Sequence, residues 1–326
     1  MAGPSARETL RVGTRGSQLA LWQADHVVAR LRAGHPGLGV ERVVVRTLGD
    51  KRPEAALAAI GGRGIFTREI EDALRKGSID VAVHSLKDLP TGIAEGLELG
   101  AVLPREDPRD ALVSRVAQSL PALPPGARIG TSSLRRRAQL LALRADLKVL
   151  DLRGNVPTRI QKLERGECDA IVLARAGLLR LGLEGRIAEV FEPEALLPAV
   201  GQGAIAAQIR AGEPGVAGLL AALDHEPTRL ATAAERALLA RLEGGCQVPV
   251  AALGTLAGRH LTLRALVADV DGREVVRDSE ARDVGGEAEA RALGEALAER
   301  LLEQGAAPIL ARVRALGYAG PAGFEA

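Results

Sequence analysis

The sequence predicts an α/β protein: two α/β lobes around a cleft, followed by a small α+β domain with an antiparallel three-stranded sheet. Three observations carry that expectation. The first half of the chain alternates short apolar runs with helical patterns, as strand–helix units around a mostly parallel sheet do. The alternation halts at a proline-rich break, "LPREDPRDALV", and then starts again. From about Pro227 the pattern changes to a meander of strand-like runs between helices.

The elements follow in order. "LRVGT" reads as a strand, and Ser17 is placed to cap a helix through "QLALWQADHVVARLRAG", with Leu19, Trp22, His26 and Val27 near one face and Gly34 as its stop. "VERVVVRTL", "TREIEDALRKG" and "IDVAVH" then give strand, helix and strand. After the break, "ARIGT" and "LKVLDL" are strands around a helix over 134–145, and "CDAIVLA" is a strand after a helix over 158–165. "LLPAVGQGAIAAQIR" carries a proline and two glycines before a strand-like run, which suits a second crossing between lobes. Two crossings make a hinged cleft. Beyond it come the helix "ATAAERALLARLE", three strands over "VPVAALGTLAG", "HLTLRALVADVDG" and "REVVRDSEARD", and a helix over 286–305. The expected units are residues 1–103 with 202–222, residues 104–201, and residues 223–326.

Composition narrows the function classes. Lysine and arginine total 43 against 41 acids in 326 residues, so no global basic field advertises nucleic acid or a membrane surface, and any anion site must be local. Aromatic residues are too sparse (Trp22, Phe66, Phe191, Tyr318, Phe324) to build stacking platforms for single strands. The N-terminus lacks an apolar segment behind a basic start, and no run reaches the length of a membrane span, so a cytoplasmic protein is expected. Cys168 and Cys246 lie far apart with no CxxC spacing, which argues against a disulfide framework and against a metal site.

Three strand ends deliver an arginine together with a capping hydroxyl. They are "VGTRGSQLA" with Arg15 and Ser17, "GTSSLRRRAQL" with Ser132 or Ser133 before Arg135, Arg136 and Arg137, and "DLRGNVPTRI" with Arg153, Thr158 and Arg159. Arginines in a first helical turn oppose the helix dipole and need a counter-anion or solvent. Arg137 also reads as a plain solvated face. Neither a Walker A loop nor a dinucleotide fingerprint is present, so the convergence points to carboxylates. "HSLKDLP" follows a strand and puts Lys87 and Asp88 at a sheet's carboxyl edge, as an acid/base device or as a solvated turn; His84 reads as a satisfied core histidine. Cys246, between "GG" and "QVPV", is either a small buried hydrophobe or a thiol used for attachment or attack. Cys168 reads as core.

The motifs "TRGSQLALWQA", "GGRGIFTRE", "HSLKDLPT", "REDPRDA", "GTSSLRRRAQL", "DLRGNVPTR", "LPAVGQGA" and "RLEGGCQVPV" occur in an order that resembles the porphobilinogen deaminase (hydroxymethylbilane synthase) family. The likeness runs from about residue 10 to about 255; beyond that it lies in expected architecture. The resemblance implies periplasmic-binding-protein-like lobes and a monomeric transferase of tetrapyrrole synthesis that condenses four porphobilinogen molecules, with loss of ammonia and hydrolytic release of hydroxymethylbilane. It further implies a dipyrromethane held by a thioether to Cys246. Lys87, Ser85, Thr131, Ser133, Arg135, Arg136, Asp50 and Gly203 would then surround that cofactor. Arg15, Ser17, Gln23, Phe66, Arg153, Arg159, Arg180 and Gln202 would receive substrate, and Asp88 would contact pyrrole N–H groups and stabilise the cationic azafulvene left by ammonia. Where many relatives have lysines, the loop before Phe66 has Ala59 and Arg63, so its positive charge is partly kept. The rival reading is a polycarboxylate-binding protein of the two-lobed class without catalysis.

Overall fold

The computed structural model describes residues 9–46, 67–242 and 248–316. The chain opens with β1 (Thr9–Thr14), α1 (Gln18–Gly34), β2 (Gly39–Val44), α2 (Arg68–Arg75), β3 (Val81–Ser85) and β4 (Leu97–Val102). It then crosses into β5 (Asp110–Ser114), β6 (Arg128–Gly130), α3 (Leu134–Leu143), β7 (Lys148–Leu150), α4 (Val156–Glu164), β8 (Ala170–Ala174), α5 (Arg175–Arg180) and β9 (Glu189–Val190). It returns through β10 (Ile205–Arg210) and α6 (Pro214–Leu220), and ends with α7 (Glu226–Arg241), β11 (Val250–Ala257), β12 (His260–Ala268), β13 (Val275–Asp283), α8 (Glu287–Leu301) and α9 (Ala307–Ala315). Among the described residues no helix is long and apolar enough to cross a membrane.

The two lobes repeat one plan. The first sheet runs β2-β1-β3-β10-β4 and the second β7-β6-β8-β5-β9. β1, β2 and β3 are parallel, as are β6, β7 and β8. β10 is antiparallel to β3 and β4, and β5 to β8 and β9, so each sheet is mostly parallel, as expected, with one reversed strand. The reason is the crossing. A strand arriving from the other lobe enters at the edge that faces it and must run away from the cleft, against strands that run toward it.

Each sheet buries both faces, which is why its strands read as apolar runs. α1 and α6 cover one face of the first sheet through Val27, Leu31, Val216 and Leu220, and α2 covers the other through Ile70 and Leu74. Ala24, Val27, Val28 and Leu31 of α1 face the sheet, whereas Leu19, Trp22 and His26 do not share that core; Leu19 and Trp22 turn to α5 of the second lobe. The expected single face is thus two stripes. α4 begins earlier than expected because Asn155, not Thr158, caps it: Asn155 Oδ1 accepts the Thr158 N–H at 2.9 Å.

The third unit has the expected antiparallel sheet, β11-β12-β13, packed on α7, α8 and α9. Its other face meets Ala138 of α3 and Leu197. Gly294 allows α7 and α8 to touch, since a Cβ there would stand 2.1 Å from the Ala234 carbonyl oxygen. The helix expected over 286–305 ends at Leu301, and Gly305, at φ 107°, lets the chain restart as α9.

Candidate functional site

Most of the predicted site residues lie where parallel strands end. Ser17 caps α1 just past β1, and Arg15 beside it stands close enough to His84 to disfavour a charge on that ring. His84 is core, as expected: it is buried, its Nε2 is 3.1 Å from Gln208 Oε1, and burial pushes it down to about 4. Ser85 ends β3 and bonds Gln23 of α1 at 2.8 Å, and the next three residues form a 3-10 turn carrying Lys87 and the exposed Asp88.

The second lobe mirrors this. Thr131 Oγ1 accepts the Ser133 N–H, and Ser133 Oγ caps α3 by accepting the Arg136 N–H at 3.4 Å. Arg153 pairs with Asp151 at 3.0 Å, and Arg159 is oriented by its Nε bond to the Gly154 carbonyl at 2.8 Å. Arg180 ends α5, lies 5.6 Å over the Trp22 ring of the first lobe, and donates to the Gly203 carbonyl at 2.6 Å. Gly203 sits at φ +88°, and a Cβ there would meet the Glu106 carbonyl at 2.3 Å, so the two crossings touch backbone to backbone. Asp50, Phe66 and Cys246, together with Ala59 and Arg63, lie outside the described residues.

The counter-anion that the first turn of α3 calls for is internal. Asp110, fully buried at the head of β5, accepts from Arg135 Nη1 and Arg136 Nη2, each at 2.7 Å. Arg135 also donates to the Leu197 carbonyl and Arg136 to that of Val172. Arg137 is no solvated face either: it donates to the Val270 and Val149 carbonyls, joining α3 to the third unit. Asp110 went unassigned in the sequence. Its one signal was an acid opening an apolar strand, where burial demands a partner.

Two further charges were also missed. Glu235 of α7, fully buried, pairs with Arg105 of the first crossing at 2.5 Å and accepts the N–H groups of Gly201 and Gly254. Arg236, its neighbour, donates to the carbonyls of Leu89, Pro90 and Thr91, the loop that follows Asp88.

Burial pushes the Lys87 ammonium down to about 8, with Asp88 opposing and Arg136 reinforcing. Burial likewise holds Arg159 at about 10, reinforced by Arg136 and opposed by Asp151 and Asp88, and Arg180 at about 10, opposed by Glu106. Burial is the first cause in each case, so desolvation is what holds these cations below their ordinary range. The strand ends of both lobes thus gather cations beside hydroxyl groups, with the exposed Asp88 and Asp151 carboxylates among them. Among the described residues no cluster of histidine, cysteine and acids could hold a metal ion.

Fold and site together define a two-lobed α/β protein whose strand ends gather buried cations and hydroxyl groups. The model of the porphobilinogen deaminase dipyromethane cofactor binding domain matches residues 10–217, and that of the porphobilinogen deaminase C-terminal domain matches 229–303. The chain belongs to the porphobilinogen deaminase family. The porphobilinogen deaminase of Desulforudis audaxviator is 54% identical over 309 residues, covering 95% of this chain and 99% of that one. That of Moorella thermoacetica is 52% identical over 306 residues, covering 94% and 97%. The Methionine Binding Protein MetQ is similar in structure over 66% of this chain and 90% of its own, at 15% identity and a TM-score of 0.43, a likeness that carries no weight here. This is therefore a transferase of tetrapyrrole biosynthesis with a dipyrromethane cofactor, and the reading without catalysis is set aside. The residues present fit that group, since its pyrrole carboxylates can pair with the buried cations Lys87 and Arg159.

Proposed function

We propose that this chain joins four porphobilinogen molecules head to tail and frees hydroxymethylbilane by hydrolysis, with Asp88 as the catalytic residue. The observation that carries this is the placement of Asp88, exposed on a turn beside Lys87 and in the field of Arg159 from the opposite lobe. Each pyrrole brings an acetate and a propionate, which pair with guanidinium and ammonium groups. Lys87 and Arg159 draw those arms into the cleft, with Arg135, Arg136 and the Thr131 and Ser133 hydroxyls beside them. Fixing the arms brings the aminomethyl carbon and the pyrrole N–H to the Asp88 carboxylate. Asp88 then opposes the positive charge that develops as ammonia leaves. Arg15, Ser17, Gln23, Phe66, Arg153, Arg180 and Gln202 complete the substrate side, and Asp50 and Gly203 the cofactor side.

Cys246 holds the dipyrromethane by a thioether and acts as an anchor, which is why it needs no histidine partner. When bound, the group supplies the primer on which the pyrrole chain is extended. Residues 1–103 with 202–222 form one lobe, 104–201 the other, and 223–326 the domain that carries the cysteine. Cytoplasmic placement is supported by the buried free thiol of Cys168 and by the distance in sequence between the two cysteines, and a monomeric state by the family resemblance alone.

Intact mass tests the reading. The purified protein should exceed the bare chain by one dipyrromethane, and Cys246→Ser should remove that increment together with the Ehrlich colour. Asp88→Asn should keep the increment while turnover of porphobilinogen falls at least about a hundredfold. A bare-chain mass with no turnover after adding porphobilinogen, or an Asp88→Asn protein with most of its activity, would sink it.

A further inference from the structure

We infer that Asp110 is a positioning residue for the reaction: it fixes the amide of Gln202 so that the carbonyl oxygen faces the Lys87 ammonium, and it pins Arg135 and Arg136 to the wall of the second lobe. The inference rests on the role of Lys87 proposed above. Asp110 is fully buried, and its Oδ1 accepts from Arg136 Nη2 at 2.7 Å, Arg136 Nε at 3.2 Å and Gln202 Nε2 at 2.8 Å, while Oδ2 accepts from Arg135 Nη1 at 2.7 Å. Gln202 Nε2 also donates to the Pro108 carbonyl at 2.7 Å. Both N–H groups of the amide are thereby committed, and Oε1 is what remains for Lys87 Nζ, 3.4 Å away.

Two acceptors, Asp110 and the Pro108 carbonyl, dictate that orientation. The reverse amide would aim N–H groups at an ammonium and an oxygen at two acceptors. One carboxylate thus joins the first crossing (β5), the second crossing (Gln202), the first turn of α3 and, through Gln202, the turn that bears Lys87 and Asp88. Asp110 does not touch Lys87; it acts through Gln202. With asparagine in its place the acceptor pattern at 110 no longer decides which end of the amide faces Lys87, and the guanidinium pair loses its counter-charge.

The charged groups that act on Lys87 are Asp88 on its own turn, Asp110 on β5, and Arg135 and Arg136 on α3. Removing the Asp110 charge leaves both arginines against the ammonium, which then loses its proton at lower pH. In Asp110→Asn the alkaline limb of the kcat/KM profile for porphobilinogen should move toward acid by roughly half a pH unit or more. kcat should fall about tenfold or more, and a smaller fraction of purified chains should carry the dipyrromethane mass. Gln202→Met keeps the Asp110–arginine contacts and should show the same direction of shift and the same loss of loading. A purely structural Asp110 would lower the unfolding temperature and leave the limb of the surviving activity in place. An Asp110→Asn limb that coincides with the native one overturns the proposal. Should that variant not fold, Gln202→Met decides alone, and an unmoved limb there overturns it equally. Failure of the underlying reading shows instead in the native protein, as absence of turnover before any variant is compared, and removes the positioning role with it.

Discussion

His84 shows at the residue scale how burial writes a pH dependence. Its imidazole sits inside the first lobe on Gln208 and binds a proton only near pH 4, against 6.5 in an open chain. The unfolded chain therefore takes up the proton first as pH falls. Stability from this residue is complete above 6.5 and is lost between 6.5 and 4, by about 3 kcal/mol at the lower end. Urea titrations at pH 7.5 and 4.5 should show His84→Gln losing less stability on acidification than the native protein. An equal loss in both would place the acid sensitivity elsewhere. Lys87 is the companion case among the cations: burial, with Arg136 and Arg135 nearby, brings its ammonium down to about 8.

At the scale of elements, the third unit depends on how closely α7 and α8 approach. The obstacle to any side chain at Gly294 is backbone, the Ala234 carbonyl, which cannot rotate aside. Gly294→Ala should separate the helices despite the better helix propensity of alanine, with a loss of roughly 1–3 kcal/mol measurable by chemical unfolding. An unchanged or raised midpoint would mean that the helices slide without cost. Because α7 also carries Glu235 and Arg236, any shift of this pair reaches the crossing segments and the loop after Asp88.

For the whole molecule the decisive contact is Glu235 with Arg105. One buried carboxylate binds a guanidinium from the first crossing, an N–H from the second and an N–H from β11, so both crossings meet the third unit on one side chain. Glu235→Gln leaves Arg105, itself largely buried, without its counter-charge, and should cost about 3–5 kcal/mol. In a thermal scan the single transition should drop and split, with the third unit unfolding apart from the lobes. A variant with the native midpoint and one transition would show that the joint rests on apolar packing instead.

How much of this was legible in the sequence differs by residue. The alternation of short apolar runs and helical periods gave the strand–helix units, because apolar periodicity follows directly from which faces are buried. Ser17 and Ser133 as caps, His84 and Cys168 as core residues, and the three strands after Pro227 were readable for the same local reason. The direction of β5 and β10 was not, since an apolar run looks alike whichever way it enters a sheet. Nor were the partners of Arg135, Arg136 and Arg137, which lie 25, 26 and 133 residues away along the chain. The sequence by itself determined the local elements, the strand ends that deliver charge and, through long ordered motifs, the family. Only the tertiary structure decided which of those charges are already spent on Asp110 and which remain for a ligand, because a buried charge is settled by the nearest opposite charge in space.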